Sequence, residues 1–141
     1  MILYLDTSAL VKKYFEEAGS SKVITHWKKA GAIATSSIAY AEAMASFYRK
    51  KRETNISRAV FHALMESFQQ DWKGLICVQV NDELNDTIDK VLSRHALRGF
   101  DSIHLASALI LHDAAPQEFL FACFDNTLLQ AAVAEGLNPL S

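Results

Sequence analysis

The sequence predicts an α/β sandwich in which helices flank a mainly parallel β-sheet. Short apolar runs alternate along the chain with amphipathic segments of helical period, which is the pattern of βαβ units. The run at 119–124 is apolar throughout, as strands buried on both faces of a parallel sheet usually are. The chain has 141 residues and contains no internal repeat, low-complexity tract or domain boundary, so we expect one domain over residues 1–141.

Caps and glycines delimit the predicted elements of the first half. The triplet Asp6-Thr7-Ser8 follows the first apolar run and is a helix-start signal. Gly19 and Gly31 end two helical patterns, and Ser36 and Ser37 are expected to cap a longer helix. In order, the predicted elements are a strand at 1–5, helices at 9–17 and 20–30, a strand at 32–35, a helix from the serine pair to about 52, and a helix at 56–72.

The second half of the chain continues the alternation. Gly99 is expected to break the chain, and Asp101 to open a strongly apolar helix. In order, the predicted elements are a strand at 75–80, helices at 82–95 and 101–112, a strand at 119–124, a helix at 127–135 and a short strand at 137–140. Helical spacing predicts two packed faces, made of Val60, Leu64 and Phe68 and of Leu84, Ile88, Val91 and Leu92.

Charge, apolar runs and cysteines limit the classes of function. With 14 basic and 16 acidic residues, the net charge of −2 argues against coating nucleic acid by bulk attraction, although a local nucleic-acid site remains open. No apolar run approaches the ~18 residues that cross a bilayer, so we expect neither a membrane span nor a secretory signal. Cys77 and Cys123 lie in apolar runs, so we expect buried free thiols and a reducing cytoplasm.

Two aspartates follow predicted strands directly. Asp6 comes after the first strand and Asp125 after the strand at 119–124. If these strands are central and parallel, both carboxylates project from the edge of the sheet where ligands of open α/β sheets bind. Capping of the following helix is the alternative, and for either residue alone it is the preferred interpretation.

Two further acids lie in strongly apolar helices. Glu42 is surrounded by apolar residues, and a buried carboxylate needs a partner or a metal; the alternative is that it reaches solvent beside Arg49 or pairs with it. Asp101, as a helix N-cap, needs no further function. Four convergent carboxylates, however, repel by roughly 4 kcal/mol per pair at about 4 Å and an effective dielectric near 20, which favours a bound cation. Oxygen ligands suit Mg²⁺ or Mn²⁺ and metal-dependent hydrolysis of a phosphodiester.

The sequence resembles the PIN-domain ribonucleases over essentially its whole length, and most closely the VapC toxins of toxin–antitoxin pairs. The resemblance lies in four segments: Leu3-Tyr4-Leu5-Asp6-Thr7-Ser8-Ala9-Leu10, the helix of Glu42, Leu97-Arg98-Gly99-Phe100-Asp101-Ser102-Ile103-His104-Leu105-Ala106-Ser107-Ala108-Leu109, and Phe124-Asp125-Asn126-Thr127-Leu128. It implies a PIN-like three-layer sandwich with a mainly parallel central sheet, and an Mg²⁺- or Mn²⁺-dependent endoribonuclease that forms a homodimer and is neutralised by a cognate antitoxin.

By the same resemblance, the four acidic positions of the family fall on Asp6, Glu42, Asp101 and Asp125. These residues would hold the metal and position the attacking water, and Thr7 or Ser8 would support Asp6. Two positions depart from the family pattern. Cys123 stands where a serine or threonine is frequent, and Asn126 where a basic residue is common.

Basic residues and one histidine complete the candidate site. Arg49 and Lys50 in the run at 49–52, together with Arg98, are candidates for RNA-phosphate contacts, and a solvated helix end is the alternative for the run. His104 follows Asp101 by three residues and is interpreted as a packed histidine in preference to a partner of the site.

The sequence therefore predicts a ribonuclease of the toxin type that acts in the cytoplasm on RNA. A catalytically silent PIN-like module that binds a protein is the alternative, and the presence of all four acids argues against it. A phosphotransfer protein of the receiver type ranks lowest, because the paired acids near the first strand and the lysine after the last strands are missing.

Overall fold

The computed structural model describes residues 1–140 and confirms the α/β class. Seven α-helices and five strands are formed in this part of the chain. In order, they are β1 (Ile2–Leu5), α1 (Thr7–Leu10), a 3₁₀ turn (Val11–Lys13), α2 (Ser20–Lys29), β2 (Ala32–Ser36), α3 (Ala39–Glu53), α4 (Arg58–Trp72), β3 (Ile76–Val78), α5 (Asp82–Arg94), α6 (Gly99–Ala114), β4 (Phe119–Ala122), α7 (Asn126–Ala134) and β5 (Asn138–Pro139).

All five strands run parallel in the order β3-β2-β1-β4-β5. The central strand β1 pairs with β2 on one side and with β4 on the other, with Leu5 opposite Ala122 at its carboxyl end. The chain leaves β1 towards one edge of the sheet and later returns to the other side of the same strand. The carboxyl ends of β1 and β4 therefore border a topological switch point, where open α/β sheets bind their ligands.

Alternate residues of β1 pack into two hydrophobic layers, one on each face of the sheet. Leu3 and Leu5 pack among the apolar residues of helices α1 to α4, whereas Ile2 and Tyr4 pack among those of α5, α6 and α7. This alternation is the two-residue period of a strand with both faces buried. Each fully buried large apolar side chain contributes roughly 1.5–3 kcal/mol of burial, which holds the ends of the strands in fixed positions beneath the site.

The amino-terminal helix starts at Thr7 and gives way to a 3₁₀ turn that ends at Lys13, whereas a helix over 9–17 was expected. The earlier start arises because the Asp6 carboxylate accepts the backbone N–H of Ala9.

The prediction that Gly99 breaks the chain is wrong. Gly99 is the first residue of α6, and Arg98 occupies the N-cap position, so Asp101 lies in the first turn and is not the cap. A Cβ at Gly99 would meet nothing within 4 Å, and its φ is not positive, so nothing opposes helical geometry there.

The serine pair also acts differently from the prediction. Helix α3 begins at Ala39 after an Ile38 N-cap, and the Ser36 hydroxyl accepts the N–H of Ile38 at 3.3 Å.

The predicted packed faces are partly wrong. Val60 is 51% exposed and Leu92 is 42% exposed, while the buried residues of these two helices are Phe61, Met65, Phe68, Leu84 and Val91. Phe68, Leu84 and Val91 are buried as predicted, and the error concerns positions next to them, because apolar residues also occupy adjacent positions that point about 100° away.

Both cysteines are free; Cys123 is buried and Cys77 is half-buried. Across residues 1–140, the helices are too short or too polar to cross a membrane.

Candidate active site

The structure brings all four predicted acids into the wall of one open cavity at the switch point. The cavity has a volume of about 580 Å³, and its lining includes Asp6, Glu42, Asp101 and Asp125. Asp6 follows β1, and each of the other three lies at the amino-terminal end of a helix: Glu42 on α3, Asp101 on α6 and Asp125 on α7. The fold thus brings four acids that are far apart in sequence to the wall of the same cavity.

Asp6 is fixed where β1 ends. Its backbone N–H donates to the carbonyl of Ala122 at 3.0 Å, and its Oδ1 accepts from the Ser8 hydroxyl at 2.7 Å and from the N–H of Ala9 at 2.9 Å. The residue is only 4% exposed. Burial raises the pKa of Asp6 to about 6, against the opposing effects of nearby His104 and of the hydrogen bonds from Ser8 and Ala9.

Asp125 caps helix α7 and also lines the cavity. Its Oδ1 accepts the N–H of Leu128 at 2.9 Å and thereby caps α7. The thiol of Cys123 donates to the Asp125 carbonyl at 3.4 Å, so this departure from the family pattern supports the backbone of Asp125. For both Asp6 and Asp125, capping and a place in the pocket are compatible, although the sequence presented them as alternatives.

Glu42 is held by two donors from other elements. The Thr7 hydroxyl donates to Glu42 Oε1 at 2.6 Å, and His104 Nε2 lies 2.9 Å from the same oxygen. Burial raises the pKa of Glu42, but the hydrogen bonds from His104 and Thr7 outweigh it, so the net pKa is lowered and the carboxylate stays ionised. Within residues 1–140 these are its hydrogen-bond partners, so pairing with Arg49 is wrong, whereas Glu42 does remain partly exposed in the cavity that Arg49 also lines.

The two small polar residues divide their support between two acids. Ser8 bonds Asp6, as expected, whereas Thr7 bonds Glu42. Helix α3 is also less buried than its composition indicated, since Tyr40, Ala41 and Ala45 are exposed and only one of its faces is packed.

Asp101 is the most weakly constrained of the four acids. Its Oδ2 accepts from Arg98 Nε at 3.2 Å, and the Arg98 side chain is largely exposed. Exposed ion pairs of this kind contribute about 0–1 kcal/mol. The Arg98 side chain is therefore free to exchange its carboxylate partner for another anion at little cost.

The four carboxylates share one feature. Each has one oxygen engaged by a protein donor, and the other oxygen accepts no hydrogen bond from the residues that the structure describes. Within residues 1–140, no three His, Cys, Asp or Glu side chains lie in an arrangement that could by themselves hold a metal ion. Magnesium suits such an open site, because it keeps several waters and usually takes one or two carboxylates plus substrate phosphates. The oxygen donors are therefore of the kind that Mg²⁺ or Mn²⁺ takes, with waters or a substrate phosphate needed to complete the coordination.

His104 is more closely involved than the sequence indicated. It is buried on α6, with Nε2 towards Glu42 and Nδ1 3.0 Å from the Tyr4 hydroxyl. Because the Glu42 carboxylate can only accept, His104 Nε2 is the donor of that hydrogen bond, and Nδ1 is left to bond the Tyr4 hydroxyl. The spacing from Asp101 placed His104 near the site, but no sequence signal indicated Tyr4, which lies inside an apolar strand.

Cations also line the cavity. Arg49, Lys50 and Arg98 are all part of the wall, as are Lys12 and Glu17, which the sequence did not single out. Glu17 pairs with Lys12 and with Lys50, both at 3.0 Å. The positive groups offset part of the charge of the acids.

Comparisons with known proteins agree with this architecture. A family model described as PIN domain matches residues 3–134. The chain is 29% identical over 135 residues to Ribonuclease VapC45 of Mycobacterium tuberculosis, a match that covers 96% of this chain and 92% of that protein.

Two solved structures share the fold at low sequence identity. FitAcB from Neisseria gonorrhoeae superposes with a TM-score of 0.65 at 14% identity, covering 100% of this chain and 97% of the other. The sarcin–ricin loop cleaving toxin VapC20 of Mycobacterium tuberculosis superposes with a TM-score of 0.63 at 15% identity, covering 96% and 95%.

Proposed function

The chain belongs to the PIN domain family, and from that premise we propose that residues 1–141 form one domain that hydrolyses RNA phosphodiester bonds with a bound Mg²⁺ or Mn²⁺ ion. One observation carries the proposal: four acids from four elements line one pocket at the switch point, each with an oxygen that no described protein group engages. The similarity to a protein named as a ribonuclease supports the substrate class.

The proposed roles follow from how each acid is held. Asp6, Asp101 and Asp125 would hold the ion through their unengaged oxygens, and Glu42 would act as a further ligand or orient the attacking water. A bound divalent ion supplies a lowered water pKa and offsets charge on the phosphoryl oxygens. Thr7 and His104 fix one oxygen of Glu42 and keep the group ionised, which leaves the second oxygen available to accept a proton from water.

The cations and the helix ends would bind the RNA backbone. Arg98, Arg49 and Lys50 line the same cavity and are proposed to contact phosphates. The amino-terminal turns of α3, α6 and α7 also face it through their acidic residues, and a helix amino terminus favours a phosphate group. These contacts would hold the scissile phosphate against the carboxylates.

The direct test is RNA cleavage by the purified chain with Mg²⁺, Mn²⁺ or EDTA. We expect cleavage that requires the ion and is lost in an Asp6→Asn, Asp101→Asn double variant. Asp113→Asn is the matched control, because Asp113 is an exposed acid on α6 outside the cavity. Equal cleavage by the double variant and the wild type would refute the assignment. No cleavage, no metal binding by calorimetry and retained binding of a protein partner would favour the silent binding module.

The proposal extends to partners and compartment. We propose that the chain forms a homodimer, is neutralised by a small antitoxin protein and acts in the cytoplasm, where its two free cysteines stay reduced. Sedimentation of the purified chain tests the dimer. Co-expression with the product of a short adjacent reading frame tests the antitoxin, which we expect to co-purify and to abolish cleavage.

A further inference from the structure

Phe124 presents an exposed aromatic ring on the wall of the carboxylate cavity. The residue is 41% exposed, lies directly before Asp125 and lines the cavity together with all four acids. Its backbone N–H donates to the Ser8 hydroxyl at 3.0 Å, and that hydroxyl donates to Asp6. The backbone of Phe124 is therefore fixed beside two of the acids: Asp125 is the next residue, and Ser8 bridges to Asp6.

The ring is also held in place from the side. Lys12 Nζ lies 4.5 Å from the ring centroid, within the range of a cation–π contact. A Cβ at Gly19 would come within 2.6 Å of Phe124 Cε1, so the absence of a side chain at Gly19 makes room for the ring. Across residues 1–140, Phe124 has no aromatic partner of the kind that the core phenylalanines have.

The surroundings of the ring match those of single-stranded RNA sites. Such sites combine an aromatic ring, on which an unpaired base stacks, with cations that follow the phosphate backbone. Here the ring lies beside Lys12. The Glu17 carboxylate bridges Lys12 and Lys50, with one oxygen 3.0 Å from each ammonium nitrogen. If the Phe124 ring were a contact for a protein partner, we would expect apolar residues around it. The neighbouring residues of the cavity wall, Ser8, Lys12 and Glu17, are polar.

We propose that Phe124 stacks an unpaired nucleobase adjacent to the scissile phosphate, while Lys12 and Lys50 contact the neighbouring backbone. This inference rests on the proposed ribonuclease function and deepens it by naming a residue that positions the substrate: Phe124 would hold the base next to the cleaved bond. Bases inside a duplex are stacked on each other and cannot reach the ring.

The test uses a pool of short single-stranded RNAs of randomised sequence, from which the strand that the wild type cleaves fastest is chosen. The same strand is then annealed to its complement, and we expect cleavage to fall. Phe124→Leu should raise KM by about 5- to 150-fold, the range that loss of one base–aromatic stack covers, with little change in kcat. Phe124→Trp should restore KM, because indole offers a larger stacking surface. Val133→Ala, which truncates an exposed apolar side chain on α7 outside the cavity, should leave KM unchanged.

An abasic substitution next to the cleaved bond links the effect to one base. If the ring stacks that base, the abasic strand should raise KM for the wild type and remove most of the difference between the wild type and Phe124→Leu. An unchanged KM in Phe124→Leu overturns the inference while cleavage by the wild type leaves the ribonuclease function standing. If that variant instead changes only the oligomeric state, the ring is a protein contact and the inference is likewise overturned. Absence of cleavage by the wild type overturns the function, and the stacking with it.

Discussion

Replacing Asp6 with asparagine should stabilise the metal-free protein at neutral pH. Burial raises the pKa of Asp6 from 3.8 to about 6, so the folded state holds the charged form poorly. An unfolded Asp6 releases its proton near pH 4, whereas the folded one keeps it until about pH 6. The folded state binds more protons in that window, so the contribution of Asp6 to stability falls as pH rises through it and stays low above pH 6.

The magnitude follows from the difference between the two pKa values. Each pKa unit corresponds to ~1.4 kcal/mol, so the charged carboxylate lowers the free energy of unfolding at pH 7 by up to about 3 kcal/mol. Asparagine has nearly the same shape, carries no charge and caps helices well, and its Oδ1 can still accept from Ser8 and Ala9. For a chain of this length the gain corresponds to roughly 6–12 °C in Tm.

Urea denaturation in EDTA measures the effect. Asp6→Asn should be more stable than the wild type at pH 7, and the gain should shrink as pH falls below 6 and vanish well below pH 4, where the wild-type carboxyl is protonated in both states. Added Mg²⁺ should then stabilise the wild type and not the variant. The exposed Asp113→Asn should show none of these changes. A metal-free Asp6→Asn variant that is no more stable than the wild type at pH 7 would refute the reasoning.

Three further predictions concern the groups around the acids. His104→Leu should lower the free energy of unfolding by about 1–3 kcal/mol in urea melts, because the buried Tyr4 hydroxyl loses its partner. It should also lower the cleavage rate. His104→Gln keeps a donor for Glu42 and should retain more of that rate. Gly19→Ala should cost at least 1–2 kcal/mol in the same melts, because φ is +94° and the new Cβ meets Phe124, whereas Gly99→Ala, with neither constraint, should be neutral or stabilising by about 0.4–1 kcal/mol. Asp125→Ser should keep the thermal stability of the cap while removing the second carboxylate oxygen, so metal affinity by calorimetry should fall without a loss in Tm.

The fold and the approximate place of the site are predictable because both follow from local patterns. An apolar strand followed at once by an acid places that acid at the carboxyl end of a parallel sheet, and this is where Asp6 lies; Asp125 lies slightly beyond the end of β4. A charged residue in an apolar helix signals a partner, and Glu42 has two.

What the sequence does not reveal is decided by tertiary contacts. Tyr4 and His104 lie 100 positions apart, and their hydrogen bond exists only because α6 packs on the face of β1 that Tyr4 occupies. The exposure of Phe124 likewise depends on β4 ending two residues earlier than its apolar run. Apolar residues also occur beside the buried faces of α4 and α5, and for this reason Val60 and Leu92 were assigned to packed faces.

The capping and ligand interpretations of Asp6 and Asp125 were treated as alternatives, but they need different oxygens of the carboxylate. A cap needs only one acceptor, and Asp6 and Asp125 each use a single oxygen for it. A serine would cap as well, so the fold alone does not explain why a carboxylate stands at both positions. At Asp6 the second oxygen brings with it a buried charge that lowers stability without a metal. Local structure does not require a carboxylate at Asp6, and its buried charge lowers stability. A cation-binding site would explain why the carboxylate is retained there.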